Sequence, residues 1–402
     1  MTTAAVIPGM TELRPAVLAA LEAEAGGLIQ LSRELHAHPE YAYAEHASVA
    51  RILAALRGRP HVVIEEGTAG LETAFRAWTG TAASPAIGLI CEYDAVPGLG
   101  HACGHNLIAA SAVGALLALA SVSDRLPGRV VVIGSPAEEG GGGKILLVRR
   151  NAYDGLDAVL QTHPCDRHRL SGPTIGMAAL TIAFHGRAAH AGSANDRGIN
   201  ALDAMIVLFS SINAFRQQMR DGARIHGVIT HGGEKPNTIP AYTAAEIWVR
   251  ATDEAYLEDL AAHVEACAQG AATATGCRAE IQRPPSAHYP PMRLNRTLGR
   301  LLGDTLTGLG ERVEDFPPGF EGYANDVGAV SHIAPTALLN YKIGPEGLAE
   351  HSQVFLEAAA SDDGHRGMLL AASTVALAAV TLLHDPVRRA QVRAEFEAGS
   401  RR

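Results

Sequence analysis

The sequence predicts an α/β fold: a mixed, mostly parallel sheet flanked by helices, split by an inserted α+β segment of ferredoxin-like order. Three observations lead there. Near-continuous apolar runs, AIGLICEYD (86–94), RVVVIGSPAEE (129–139) and LDAVLQTH (156–163), alternate with helical stretches, as strands buried on both faces do. From about Met177 that pattern gives way to partial alternation and amphipathic helices. Finally, a chain of 402 residues is too long for one ordinary core.

Taken in order, Leu18 to Leu56 is helical by period, broken at HAHPEYAYAE, where Pro39 ends a helix. LIAASAVGALLALASV (107–122) reads as a buried helix rich in small residues. The insertion then runs strand (MAALTIAFHG), amphipathic helix (197–219), strand (RIHGVITHGG), strand (AYTAAEIWVRA), helix ending at Gly276, and strand (RAEIQR). That βαββαβ order is ferredoxin-like. From about Arg293 helix and strand resume, ending in a long helix near 361–383 with Ser361 as its N-cap. The boundaries expected are 1–175 with 291–402 for the main domain and 176–290 for the insertion.

Composition excludes several classes of function. Hydrophobic residues make up 47% and charged residues 19%, so the chain can build a core. A formal charge of −9 and the lack of a basic patch argue against nucleic acid or an anionic membrane as partner. The opening MTTAAVIPGMTELRP has no basic region followed by an apolar run, so no signal peptide is expected. The apolar stretch 369–383 is too short to span a bilayer. Five cysteines without framework spacing read as reduced thiols in a cytoplasm.

The polar residues fall where chemistry is expected. Asp94, the Glu138–Glu139 pair and His163 each come at the C-terminal end of a predicted strand, the edge where open α/β sheets bind ligands. In HACGHN, Cys103 and His105 flank one glycine, and thiolate with imidazole suits zinc or a neighbouring divalent metal. Alone the pair also reads as a buried Cys beside a surface His. In SPAEEGGGG one carboxylate can bind metal while its neighbour serves as general base. The glycine run is not a phosphate loop, because Ile145 follows Lys144 where Ser or Thr would be needed. Nothing local singles out His351 among 18 histidines.

The segments CEYDAVPGLGHACGHN, PAEEGGGG, QTHP, GRAAHAG, GINALDA, NTIPAYTAAEIWVR and AEHSQVF occur in the order and spacing of one family. Together they resemble the co-catalytic metallopeptidases that include aminoacylase, glutamate carboxypeptidase and auxin-conjugate amidohydrolases. Within that family, EYDAVPGLGHACGHN is similar to the branch of p-aminobenzoyl-glutamate hydrolase and Xaa-Arg dipeptidase. The resemblance implies Cys103, His105, Glu139, His163 and His351 as ligands of two divalent ions per subunit, Mn or Zn. It implies Glu138 as general base and Asp94 as support for the ligands. Glu92 stands where many relatives have a ligating His, and is left out of the ligand set. The resemblance further implies that His190 reaches the partner subunit's site as an oxyanion donor, and that Asn237 and Arg250 hold a substrate carboxylate.

The activity so implied is hydrolysis of the amide bond of N-acyl, aminoacyl or aminobenzoyl amino acids, or of dipeptides. The catalytic domain would be 1–175 with 291–402, and 176–290 would form a homodimer. Substrates would be small molecules with a free carboxylate. A deaminase or carbamoyl hydrolase could use the same dinuclear site. A non-catalytic binding protein would have lost Glu138 or a ligand, and neither is lost.

Overall fold

The computed structural model describes residues 10–399. The opening MTTAAVIPG, on which the reading of the N-terminus rests, lies outside them. The described chain forms the strands β1 (Val63–Glu66), β2 (Phe75–Thr79), β3 (Ala86–Glu92), β4 (Arg129–Ser135), β5 (Ala158–Cys165) and β6 (Arg169–Leu170). These are followed by β7 (Gly176–His185), β8 (Arg224–His231), β9 (Tyr242–Ala251), β10 (Arg278–Gln282), β11 (His288–Tyr289) and β12 (Thr336–Lys342).

Two compact units result. The first holds the residues up to Pro173, Arg293–Glu321, and those from Ala329 on. Its seven-stranded sheet runs in the order β1-β2-β4-β3-β5-β12-β6. The central strands β4, β3, β5 and β12 are mutually parallel, and β2 and β6 join them antiparallel. Strand β3 is buried at every position and β4 at all but its first, which is why neither alternates polar with apolar residues.

The covering helices read the same way. Every residue of helix His105–Ala120 is buried, so its sequence carries no polar stripe. Among the described residues one helix, Asp362–His384, is long and apolar enough to cross a membrane, but most of it is buried in this unit's core. Ser361 caps it, accepting the Gly364 N–H at 3.0 Å. The break foreseen in HAHPEYAYAE is real: helix Met10–Ala37 ends there, and a separate helix, His46–Leu56, follows.

The second unit is Thr174–Met292 with Gly322–Gly328. Its sheet is ordered β10-β7-β9-β8, with β11 beside β7, all antiparallel. Helices Ala201–Phe215 and Glu254–Thr275 supply its core together with one face of the sheet. On β9, Thr243, Ala245, Ile247, Val249 and Ala251 are buried, while Glu246, Trp248 and Arg250 face the other way.

Several boundaries differ from expectation, the second unit running 174–292 where 176–290 is expected. The helix expected over 197–219 is shorter, because Ile199 bridges to Arg187 in extended form and Asn200 then caps the helix by accepting the Leu202 N–H. Residues 322–328, expected in the main domain, join the second unit: Ile175 donates to the Tyr323 carbonyl at 3.1 Å.

Candidate metal centre

Because β3, β4, β5 and β12 are parallel, their C-terminal ends share one edge. Asp94 comes two residues after the end of β3, and Glu138 and Glu139 sit in the turn after β4. His163 lies within β5, which continues through Pro164 to Cys165 instead of ending at the histidine. It stands opposite Asn340 of β12.

The HACGHN segment closes onto β5. Gly104 has φ +77°, and a Cβ there would meet Pro164 Cγ at 2.7 Å, so both the turn and the close approach require glycine. As a result Cys103 Sγ lies 3.5 Å from His163 Nε2. His105 opens the following helix with Nδ1 2.9 Å from the Asp94 carbonyl and 3.2 Å from Asp94 Oδ1. That commits Nδ1 and turns Nε2 toward Glu138 Oε2 at 3.8 Å and Glu139 Oε1 at 3.9 Å.

Glu139 is held from behind, its N–H donating to Asp94 Oδ2 at 2.8 Å. Its Oε1 lies 3.3 Å from His351 Nε2. His351 comes from the loop after β12, its N–H donating to the Ala102 carbonyl at 3.0 Å and its φ at +56°. A non-glycine residue held in that conformation is strained, a feature that clusters at functional sites.

At this edge three ligand-type groups form among the described residues: Cys103 with His105 and His163, Cys103 with Glu139 and His351, and His105 with Glu138 and Glu139. Within each, one ligand atom per residue lies within 4.8 Å of the others. All five residues expected as ligands, and the expected base, fall in these overlapping sets.

The electrostatics suit cations. Burial alone would lower His105, yet its bond to Asp94 and the charges of Asp94, Glu92 and Glu139 hold it well above its ordinary value. The bond to Glu139 raises His351. Burial, then the charges of Glu139, Glu350 and Glu138, pushes the Cys103 thiol well up. A field that favours protons on imidazoles equally favours a divalent ion, which would also draw out the thiolate. The donor chemistry fits: thiolate, imidazole and carboxylate converge, and His105 Nε2 is buried with no hydrogen-bond partner.

The sequence profile of peptidase family M20/M25/M40 matches residues 88–376. The chain belongs to this family. It is therefore a hydrolase of the metal-dependent amidohydrolase and dipeptidase kind. It is 35% identical over 381 residues to the Xaa-Arg dipeptidase of Mus musculus, covering 91% of this chain and 88% of that protein. It is 29% identical over 314 residues to a p-aminobenzoyl-glutamate hydrolase chain of Escherichia coli, covering 72% and 64%. The solved structure of a Bacillus subtilis dinuclear metal binding peptidase from the M20 family shares the fold, with a TM-score of 0.66 at 22% identity, covering 90% and 99% of the two chains.

Of the residues expected to meet substrate from the second unit, His190 is exposed and bridges to Thr238, its Nδ1 accepting the N–H groups of Gly192 and Ser193 at 3.2 Å. Asn237 is also exposed, its carbonyl accepting from Ala191 at 3.0 Å. These two loops lie before the start of β9. Arg250 lies at its far end, Nε 3.1 Å from His226 Nε2. About 25 Å of strand separates them, at 3.2–3.4 Å per residue.

Sequence reasoning missed the group beneath the ligands. Lys144 is fully buried with Nζ 2.6 Å from Glu92 Oε1, and Glu92 Oε2 lies 3.7 Å from His105 Nε2. Burial would raise Glu92, but Lys144, His105 and His163 hold it below its ordinary value. The available signal was an acid inside an apolar strand, Glu92, and a lysine opening a helix with apolar neighbours.

Proposed function

We propose that this chain hydrolyses the amide bond of dipeptides or N-acyl amino acids that carry a free carboxylate, at a dinuclear divalent site. The observation that carries the reading is the convergence of Cys103, His105, Glu139, His163 and His351, with Glu138 alongside. When bound, the metal pair supplies Lewis acidity toward the scissile carbonyl and the attacking water. Glu138 takes the proton of that water and returns it to the leaving nitrogen. Asp94 fixes the His105 tautomer and the Glu139 backbone. Arg250 binds the substrate carboxylate through its guanidinium fork, and Asn237, which stands beside His190 at the other end of β9, reaches it from a second copy.

His190, in this reading, donates to the developing oxyanion in the site of a second copy. A homodimer through the second unit is supported by β8, which ends its sheet with Val228 and Ile229 59% and 41% exposed. The setting proposed is the cytoplasm, since Cys103 must remain reduced to ligate.

Likeness to Xaa-Arg dipeptidase puts dipeptides ending in arginine first in a substrate panel. The panel would also hold N-acyl amino acids, p-aminobenzoyl-glutamate, carbamoyl amino acids and carboxamides of each, assayed after chelation and reloading with Mn²⁺ or Zn²⁺. The expected result is amide cleavage of free carboxylates only. Release of ammonia or carbon dioxide without amide cleavage would replace this reading with a deaminase or carbamoyl hydrolase.

A further inference from the structure

The HPEYAYAE segment breaks a helix, and neither the ligand set nor the proposed base draws on it. In the fold, its Glu45 is fully buried and stands at the N-cap of helix His46–Leu56, yet its side chain makes no capping bond. Instead Oε1 accepts two backbone N–H groups, from Tyr43 at 3.0 Å and from Ala137 at 2.9 Å. Both residues are non-glycines in the left-handed region, with φ +63° and +59°. That conformation is costly for a residue with a Cβ and persists only when something holds it.

Ala137 directly precedes Glu138 and Glu139. Its conformation sets the direction in which the chain leaves β4 and hence where both carboxylates point. The far side of the turn is held by the same segment: Tyr43 Oη donates to the Gly141 carbonyl at 2.6 Å, and Gly141 N–H returns to the Ala137 carbonyl at 3.0 Å. A Cβ on Gly141 would meet Tyr43 Cε2 at 2.6 Å and Ala137 Cβ at 2.7 Å, so Tyr43 packs directly on the turn. The segment just past β3 is tied too, Ala95 N–H donating to the Glu40 carbonyl at 2.9 Å, next to Asp94.

We propose that Glu45, with Tyr43, is a positioning residue that locks the Ala137–Gly141 turn and so aims Glu138 and Glu139 into the metal centre. The proposal rests on the roles given above to those two glutamates. Glu45 lies in none of the ligand-type groups; it acts through the backbone of Ala137.

The test compares Glu45→Ala, Glu45→Gln and the double variant Glu45→Ala/Ala137→Gly. Three readouts are taken: amide hydrogen exchange across 136–142, Mn²⁺ affinity by calorimetry, and kcat and KM on the best-cleaved dipeptide of the panel. Glu45→Ala is expected to speed exchange across 136–142 and to weaken Mn²⁺ binding by about tenfold, as loss of ligand support does. It lowers kcat with little change in KM. Glu45→Gln keeps an acceptor oxygen and retains near-normal behaviour. Glycine at 137 adopts the left-handed conformation unaided, so the double variant recovers most of the loss. A general stability defect would show no such rescue. Unchanged exchange in Glu45→Ala, or equal impairment in Glu45→Gln, would overturn the proposal. Full activity in Glu138→Gln would overturn the proposed function, whereas exchange across 136–142 would still report on the turn.

Discussion

Asp94 holds His105 and Glu139 with opposite oxygens of one carboxylate: Oδ1 is 3.2 Å from His105 Nδ1, and Oδ2 accepts the Glu139 N–H at 2.8 Å. Burial would raise Asp94, but the bond and charge of His105 and the Glu139 N–H keep it below its ordinary value, so it stays ionised. Two proposed ligands from different segments are thus oriented by one side chain.

Asp94→Ala therefore removes support from both at once. Mn²⁺ affinity should fall about 10–100-fold, the range for loss of a group that orients metal ligands. Competition with a chelator of known affinity measures it. Affinity within twofold of wild type would mean that the ligands hold their places without Asp94.

Beneath that site the Lys144–Glu92 pair is wholly buried at 2.6 Å. Lys144→Met strands a carboxylate in the interior and should cost about 3–5 kcal/mol of stability. The double variant Lys144→Met/Glu92→Gln, with no uncompensated charge, should recover most of that. Chemical denaturation followed by circular dichroism reads both. Equal losses in the single and double variants would show that the pair's charges are not what matters.

Much of this was legible in the chain. Strands buried on both faces announce themselves as unbroken apolar runs, so β3, β4 and β5 and the acidic residues after β3 and β4 could be placed on one edge beforehand. The ferredoxin-like order was legible because each turn of the insertion carries its own signal, such as Gly276 after its second helix. His351 was legible only through the family resemblance, because its place depends on β12 pairing with β5 across a long separation and on a strained loop. Lys144 was missed because a lysine reads as surface until its buried partner is known. The fate of 322–328 turned on single backbone bonds such as that from Ile175 to Tyr323.

His190 and Arg250 bear on the oligomer. Within one second unit they stand at opposite ends of β9, too far apart for one dipeptide to touch both. If both act on one substrate, they come from two chains. Arg250→Ala should mainly raise KM, by about 10–100-fold for a charge-assisted contact, and amidating the substrate should cost little more in that variant. His190→Ala should lower kcat. Mixed dimers of His190→Ala with Glu138→Gln should regain activity, since one of the two sites then has both residues. No recovery in verified heterodimers would place His190 outside the partner's site.

The central claim is that Glu138 moves the proton while its neighbours hold the metals. The most direct measurement pairs metal content with turnover in Glu138→Gln, using Cys103→Ser as the comparison. Glu138→Gln should keep wild-type metal stoichiometry by elemental analysis while kcat falls about 10²–10⁴-fold. Cys103→Ser, in contrast, should lose metal. A fully metallated Glu138→Gln enzyme with near-normal kcat would contradict the account.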